Sequence, residues 1–80
     1  MRLDKFLKVS RIIKRRTVAN EACDAQHVTV NGKEARASYN VKIGDEVEVT
    51  FGQKKLKFRV TSIKETTSKA DASSMYEIIE

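Results

Sequence analysis

The spacing of apolar residues changes from a helical to a strand period near residue 28, and this change restricts the class of fold. Leu3, Phe6 and Leu7 are spaced i, i+3 and i+4, which places them on one face of a short helix over residues 2–9. From Val28 onward apolar and polar residues alternate, as in strands with one buried side. A chain of 80 residues with this order predicts one α+β domain.

A second helix is predicted over residues 17–25, where small side chains share one face. Thr17 is a candidate N-cap, although Asn20 stands where a full capping box has Glu or Gln. The small face allows close packing on neighbouring elements, and Cys23 within it is interpreted as a buried core thiol. The face comprises Val18, Ala19, Ala22, Cys23 and Ala25.

Turn residues divide the rest of the chain into short strands. Asn31 and Gly32 follow an alternating segment and form the strongest short-range hairpin signal, because both positions tolerate positive φ. Gly44 with Asp45, and Gly52 with Gln53, mark two further turns. The chain is therefore predicted to form a small, mostly antiparallel sheet.

The alternation predicts two longer strands and one short closing strand. Residues 46–51 have Val47, Val49 and Phe51 on one face, which we expect to be buried, and residues 56–60 continue the pattern. Residues 66–74 are polar and small and are predicted as a loop, and residues 75–79 as a last strand.

Positive charge is concentrated at the start of the chain. The net charge is +5, and residues 1–16 hold seven basic residues against Asp4 alone. Residues 37–80 hold seven basic and seven acidic residues. A one-ended excess of this kind indicates a polyanionic partner such as a nucleic acid. A solvated basic face that only aids solubility is the alternative.

The basic segment between the two predicted helices, residues 10–17, is suited to binding an anion. Free amides at the start of the second helix, with the helix dipole behind them, favour a phosphate near Thr17. Arg15 and Arg16 can add bidentate contacts, and Ile12 and Ile13 are expected to anchor the run on the core. Because the phenylalanines are predicted to be buried, recognition of folded RNA through shape and phosphates is favoured over reading of single strands.

Most acidic residues are interpreted as solvent-exposed. Asp4 is interpreted as a surface acid that interacts with the helix dipole, with the alternative that it holds a neighbouring cation. Asp45 and its acidic neighbours beside a turn are interpreted as solvated. Glu21 and Asp24 are spaced i, i+3 on the second helix, where they would repel RNA and oppose insertion into the major groove of DNA.

The sequence lacks the usual signatures of catalysis. No glycine-rich phosphate loop, metal-binding spacing or nucleophile set is present, so we expect a protein that is not an enzyme and needs no cofactor or metal. A small enzyme acting on RNA remains a disfavoured alternative. A single cysteine cannot form an internal disulfide, which fits the cytoplasm. No apolar run approaches the roughly 18 residues of a membrane helix, so no membrane partner is expected.

Four separated segments resemble the S-four RNA-binding domain in order and spacing. They are residues 2–7, residues 15–17 with the small-residue helix, residues 28–33 and residues 41–47. The resemblance spans residues 1–50. It implies two short N-terminal helices, the alpha-L motif, packed on a small, mostly antiparallel sheet, with RNA held across the helices and their connecting loop. Residues 51–80 are then a C-terminal β extension of a single RNA-binding domain over residues 1–80.

The resemblance also implies contacts and partners. Its RNA contacts map to Arg2, Lys5, Lys8, Arg11, Lys14, Arg15, Arg16, Thr17 and Asn20, with Lys33 as a secondary contact. Small stand-alone members imply a factor that binds ribosomal RNA and peptidyl-tRNA on obstructed large ribosomal subunits. They further imply support of C-terminal tailing of stalled nascent chains, with a larger tRNA-recruiting factor, in ribosome-associated quality control. We expect the protein to be a monomer. A DNA-binding or a general RNA-chaperone or regulatory role of the same basic face is the alternative.

Overall fold

The computed structural model describes residues 1–64 and 69–79. Within these residues two helices precede a five-stranded antiparallel sheet, with strand order β2-β1-β3-β4-β5. This arrangement confirms the predicted α+β class. The elements are α1 (Leu3–Val9), α2 (Arg16–Asp24), β1 (Val28–Val30), β2 (Lys33–Glu34), β3 (Glu46–Phe51), β4 (Lys54–Val60), α3 (Lys69–Ala72), a 3-10 turn (Ser73–Met75) and β5 (Tyr76–Ile78).

The first hairpin follows the Asn-Gly signal. Asn31 and Gly32 have φ angles of 53° and 83°, and Val30 pairs with Lys33 across the two-residue loop. Positive φ at both central residues matches the right-handed twist of the paired strands. The predicted hairpin is confirmed, and it leaves β2 at the edge of the sheet.

The core lies between the helices and one face of the sheet. Leu3, Phe6 and Leu7 of α1 are fully buried, as the helical spacing predicts. The ring of Phe6 stacks on that of Phe58 in β4, with centroids 6.2 Å apart. Burial of these side chains fixes α1 against the sheet and thereby fixes the direction in which its polar side chains point.

One predicted core residue is exposed. Val47 and Val49 of β3 are buried, but Phe51 on the same face is 43% exposed. Phe51 is the last residue of β3 and pairs with Lys54 directly beside the turn, where the strand pair ends. The prediction that Phe51 is buried is therefore wrong. Alternation predicts on which side of the sheet a residue lies, but not how far along the strand other parts of the chain pack over that side.

The closing segment contains more regular structure than predicted. Lys69–Ala72 and Ser73–Met75 are helical, so the loop prediction is wrong there, and residues 66–68 of that prediction lie outside the described residues. Met75 is fully buried, and its carbonyl oxygen accepts hydrogen bonds from the amides of Thr61 and Ser62. β5 then pairs with β4, which confirms the predicted last strand.

Candidate nucleic-acid interface

A buried carboxylate joins the two helices at the basic end of the molecule. Asp4, in the first turn of α1, is 2% exposed. It accepts hydrogen bonds from Arg2 Nε at 3.2 Å and Nη2 at 3.3 Å, and from Arg16 Nη2 at 3.5 Å. Asn20 Nδ2 at 3.2 Å and the Lys5 amide at 2.8 Å donate to the same carboxylate. The interpretation of Asp4 as a surface acid is wrong, and the alternative that it holds neighbouring cations is confirmed.

The backbone around Arg2 and Asp4 is fixed by a distant loop. The amides of Leu3 and Asp4 donate to the carbonyl oxygens of Tyr39 and Ala37, at 2.8 and 3.2 Å. The Val41 amide donates to the Met1 carbonyl oxygen at 2.8 Å. Arg2 is thus held in an extended, sheet-like pairing just before α1 begins.

Asp4 is ionised at neutral pH. Burial alone would raise the pKa of this carboxyl group, but hydrogen bonds from Asn20, the Lys5 amide and Arg16 hold its pKa below the ordinary value of 3.8. The side chains of its two arginine partners remain accessible, at 51% exposed for Arg2 and 48% for Arg16. Each arginine therefore contacts Asp4 on one side and solvent on the other.

An open depression lies beside this cluster at the start of α2. It has a volume of about 390 Å³ and is lined by Asp4, Arg16, Thr17, Asn20 and Glu21. Arg15, not Thr17, is the N-cap residue, and no side-chain hydrogen bond caps the helix. The N-cap prediction for Thr17 is wrong because α2 already begins at Arg16, whose side chain pairs with Asp4. The uncapped first amides of α2 are suited to an anion.

The connecting loop between the helices carries exposed cations on an ordered base. Ile13 is 6% exposed and Ile12 packs against the core, which confirms the predicted anchoring. Lys5 is partly buried and Lys8 is exposed on α1. Three exposed residues of the loop form no ion pair with another described residue: Arg11, Lys14 and Arg15.

The remaining predicted contact lies apart from this cluster. Lys33 is exposed on the edge strand β2, and the structure does not bring it to Asp4. The outer face of the sheet neutralises its own charges: Arg59 pairs with Glu46 at 3.5 Å and with Glu77 at 3.8 Å. The basic excess of the chain therefore remains on the two helices and their connection.

Sequence reasoning missed a second buried acid. Asp45 is 8% exposed and accepts hydrogen bonds from the Tyr39 hydroxyl at 2.9 Å, the Lys42 amide at 2.9 Å and Asn31 Nδ2 at 3.2 Å. Burial raises the pKa of Tyr39, and its hydrogen bond to Asp45 raises it further. The interpretation of Asp45 as solvated is wrong: it fastens the loop whose carbonyl oxygens hold the start of α1.

The single cysteine is a structural residue. Cys23 is 2% exposed, and burial, with the charges of Asp4 and Asp24, raises its pKa to about 11. The prediction of a buried core thiol is confirmed. Within residues 1–64 and 69–79, no group of three acidic, histidine or cysteine side chains is placed to hold a metal ion. In the same part of the chain, no helix has the length and apolarity needed to cross a membrane.

Comparison with known proteins gives the family. Residues 1–47 match the S4 domain. The chain belongs to the S4 domain family. The resemblance to the S-four RNA-binding domain is thereby confirmed, and the two helices with their basic connection fall inside the matched segment.

Full-length relatives are similar over nearly the whole chain. The chain is 55% identical over 78 residues to the RQC P-site tRNA stabilizing factor of Halalkalibacterium halodurans, covering 98% of this chain and 89% of the relative. It is 54% identical over 79 residues to the protein of the same name from Bacillus subtilis, covering 99% and 92%.

A solved structure shares the fold. The trimeric structure of Heat Shock Protein 15 from Vibrio cholerae superposes with a TM-score of 0.91 at 26% identity, over 98% of this chain and 80% of that one. This similarity includes the β extension beyond the matched S4 segment, so the extension is part of a known arrangement.

Proposed function

We propose that this protein is a non-catalytic RNA-binding factor of ribosome-associated quality control that stabilises tRNA in the P site of obstructed large ribosomal subunits. The observation that carries the proposal is the half-exposed pair of Arg2 and Arg16, fixed on a buried carboxylate beside the uncapped start of α2. Relatives that align over nearly the whole chain bear the name of P-site tRNA stabilizing factor. A single domain over residues 1–80 carries this function.

The RNA-binding site covers α1, the connecting loop and the first turns of α2. RNA phosphate lies at the start of α2, where the free amides and the arginine forks supply charge-assisted hydrogen bonds. The residues that make contact are Arg2, Lys5, Lys8, Arg11, Lys14, Arg15, Arg16, Thr17 and Asn20, with Lys33 as a secondary contact.

The basic loop extends this site toward a second strand of RNA. Arg11, Lys14 and Arg15 are exposed and have no acidic partner among the described residues, so their charge is available to ribosomal RNA of the large subunit. Through this placement a cytoplasmic monomer holds peptidyl-tRNA and supports C-terminal tailing of the stalled chain, together with a larger tRNA-recruiting factor. The ribosomal target, the tailing step and the larger factor in this part of the proposal follow the stand-alone members of the family.

Duplex DNA is a less suitable partner for the same face. Reading DNA by α2 would press Glu21 and Asp24, both exposed on that helix, toward the phosphates of the groove. Comparing binding to large subunits with binding to a plain DNA duplex, at one salt concentration, separates the two partners.

Sedimentation with matched arginine variants tests the proposal. A tagged copy is followed through a gradient of bacterial extract that contains stalled large subunits with peptidyl-tRNA. Arg16→Ala should weaken binding by about 1–3 kcal/mol, as for a charge-assisted contact, and should leave the large-subunit fraction. Arg59→Ala removes the same charge from the outer sheet face and should remain there.

Either of two results contradicts the proposal. One is wild-type protein that stays at the top of the gradient although stalled subunits are present. The other is a folded Arg16→Ala variant that sediments like the wild type. Circular dichroism of each variant establishes that it is folded.

A further inference from the structure

Asp4 is an acid at the centre of a surface that we assign to a polyanion. Coulomb repulsion from a carboxylate should weaken binding of phosphate there. Asp4 is nevertheless held in its charged form, with a pKa below its ordinary value. A negative charge at this position would only weaken RNA binding unless the carboxylate also favours binding in another way.

We propose that Asp4 is a positioning residue that holds the guanidinium groups of Arg2 and Arg16 in the arrangement in which both grip one stretch of RNA backbone. The proposal deepens the RNA-binding function above and rests on it. Asp4 does not itself touch RNA, because its side chain is 3% exposed.

The hydrogen bonds divide each arginine into a held part and an available part. Asp4 engages Nε and Nη2 of Arg2, and Nη2 of Arg16. Nη1 of Arg2, and Nε and Nη1 of Arg16, have no partner among the described residues. A guanidinium group donates five N–H bonds in a rigid fork, so fixing one edge orients the other edge.

The carboxylate is itself oriented from three parts of the chain. The Lys5 amide and Asn20 Nδ2 donate to different oxygens of Asp4, while the arginines approach from the segment before α1 and from the start of α2. A carboxylate bound in this way cannot swing away when a phosphate approaches its arginines. The rotamer freedom of two long side chains is thus restricted before RNA binds, which lowers the entropy cost of binding.

The charges of the cluster still favour an anion. Two arginines surround one carboxylate, so the cluster retains one net positive charge. The uncapped amides of α2 add to it. Asp4 therefore reduces the attraction for phosphate without reversing it, and in exchange fixes the geometry.

Two charge-removing variants give opposite expectations. Asp4→Asn is nearly isosteric but replaces one acceptor oxygen with a donor amide that faces other donors. If charge alone mattered, it would bind purified tRNA more tightly. We expect it to bind about fivefold more weakly, the size of a typical coupling between contacting groups. Glu21→Gln removes an exposed acid from the same depression and should bind equally or more tightly.

A double-mutant comparison gives a readout that a purely structural role would not change. In the Arg16→Ala background Asp4→Asn should have a smaller effect on tRNA affinity, because one of its two arginines is gone. In the Arg15→Ala background it should keep its full effect, since Arg15 forms no hydrogen bond or ion pair with Asp4. Equal effects in both backgrounds, in folded proteins, overturn the proposal.

Lysine variants keep the test decisive even if Asp4→Asn does not fold. Arg16→Lys preserves the charge but removes the guanidinium group, which contacts Asp4 with one edge and leaves the other edge available to RNA. We therefore expect Arg16→Lys to bind tRNA roughly several-fold more weakly than Arg15→Lys, as for other bidentate sites. Equal affinity of the two lysine variants, or an Asp4→Asn protein that folds and binds as well as the wild type, overturns the positioning role. If Arg16→Ala also binds as the wild type, the RNA-binding function itself fails.

Discussion

Burial and hydrogen bonding act in opposite directions on Asp4. Removing the carboxylate from water disfavours its charge, whereas donors from Asn20, the Lys5 amide and Arg16 favour it, and the net result is a lowered pKa. The contacts involve residues up to 16 positions apart in sequence. A lone acid among seven cations was the signal in the sequence, but only the packing of α2 on α1 shows which cations it holds.

The lowered pKa predicts how acid affects stability. Because the pKa of Asp4 is lower in the folded than in the unfolded protein, its stabilising contribution is complete above the ordinary value of 3.8 and is lost as pH falls below that value through the folded pKa. We expect the difference in free energy of unfolding between wild type and Asp4→Asn to be constant above about pH 5 and to shrink below about pH 4.

Urea denaturation between about pH 3 and pH 7, followed by circular dichroism, measures this difference. Glu21→Gln, which removes an exposed carboxylate from the same depression, is measured alongside as the control. A difference between wild type and Asp4→Asn that does not depend on pH would contradict the account of Asp4.

Helices α1 and α2 are each followed by a residue in the left-handed conformation that is not glycine. Arg11 follows α1 with φ of 63°, and Gln26 follows α2 with φ of 65°. After α2, the amides of Gln26 and His27 donate to the carbonyl oxygens of Cys23 and Ala22, the paired bonds of a Schellman motif. Glycine is the residue that usually occupies this position, because a side chain there is strained.

Glycine at these two positions should separate stability from RNA binding. Arg11→Gly and Gln26→Gly should each stabilise the fold, by about 0.5–1 kcal/mol, because each relieves the strain of a left-handed side chain. Arg11→Gly should nevertheless bind tRNA more weakly, since it removes a cation of the connecting loop. Gln26→Gly should bind like the wild type.

Thermal unfolding and tRNA binding at fixed salt measure both effects. As a further control, Ala25→Gly places glycine at a φ of −84°, where no strain is relieved, and should destabilise the protein. If Arg11→Gly and Gln26→Gly bind tRNA equally well, the connecting loop is not part of the RNA site.

Local sequence patterns predicted those helices and turns that neighbouring residues determine. Hydrophobic spacing gave α1, and the Asn31 and Gly32 pair gave the first hairpin. Predictions about features that involve distant parts of the chain are wrong. Arg16, predicted to precede α2, is its first residue and pairs with Asp4 of α1, and Phe51 is exposed because the core ends before it. The same reason explains why Asp45 was misjudged, since its partners come from two other segments.

The basic excess and the cross-strand ion pairs of the described residues lie on different faces of the protein. The helices and their connection hold the basic excess, while the outer sheet face pairs Arg59 with Glu46 and Glu77. Cations that already pair with acids across strands contribute little to the affinity for RNA. Exposed cations without acidic partners contribute more, because they neutralise RNA phosphates and release the counterions bound there. The distribution of charge along the chain predicts that the basic excess lies near the N-terminus. Only the cross-strand register shows that cations on the outer sheet face lie opposite acids, which argues against that face as the RNA-binding surface.

The most direct test of the RNA-binding face is a titration of nitrogen-15-labelled protein with purified tRNA, followed by amide chemical shifts. We predict that the largest changes fall within residues 2–20, on α1, the connecting loop and the start of α2. Amides of Glu46, Glu48, Lys57 and Arg59 on the outer sheet face should change little. Largest changes on that sheet face, or no changes at any amide at low salt, would contradict this prediction.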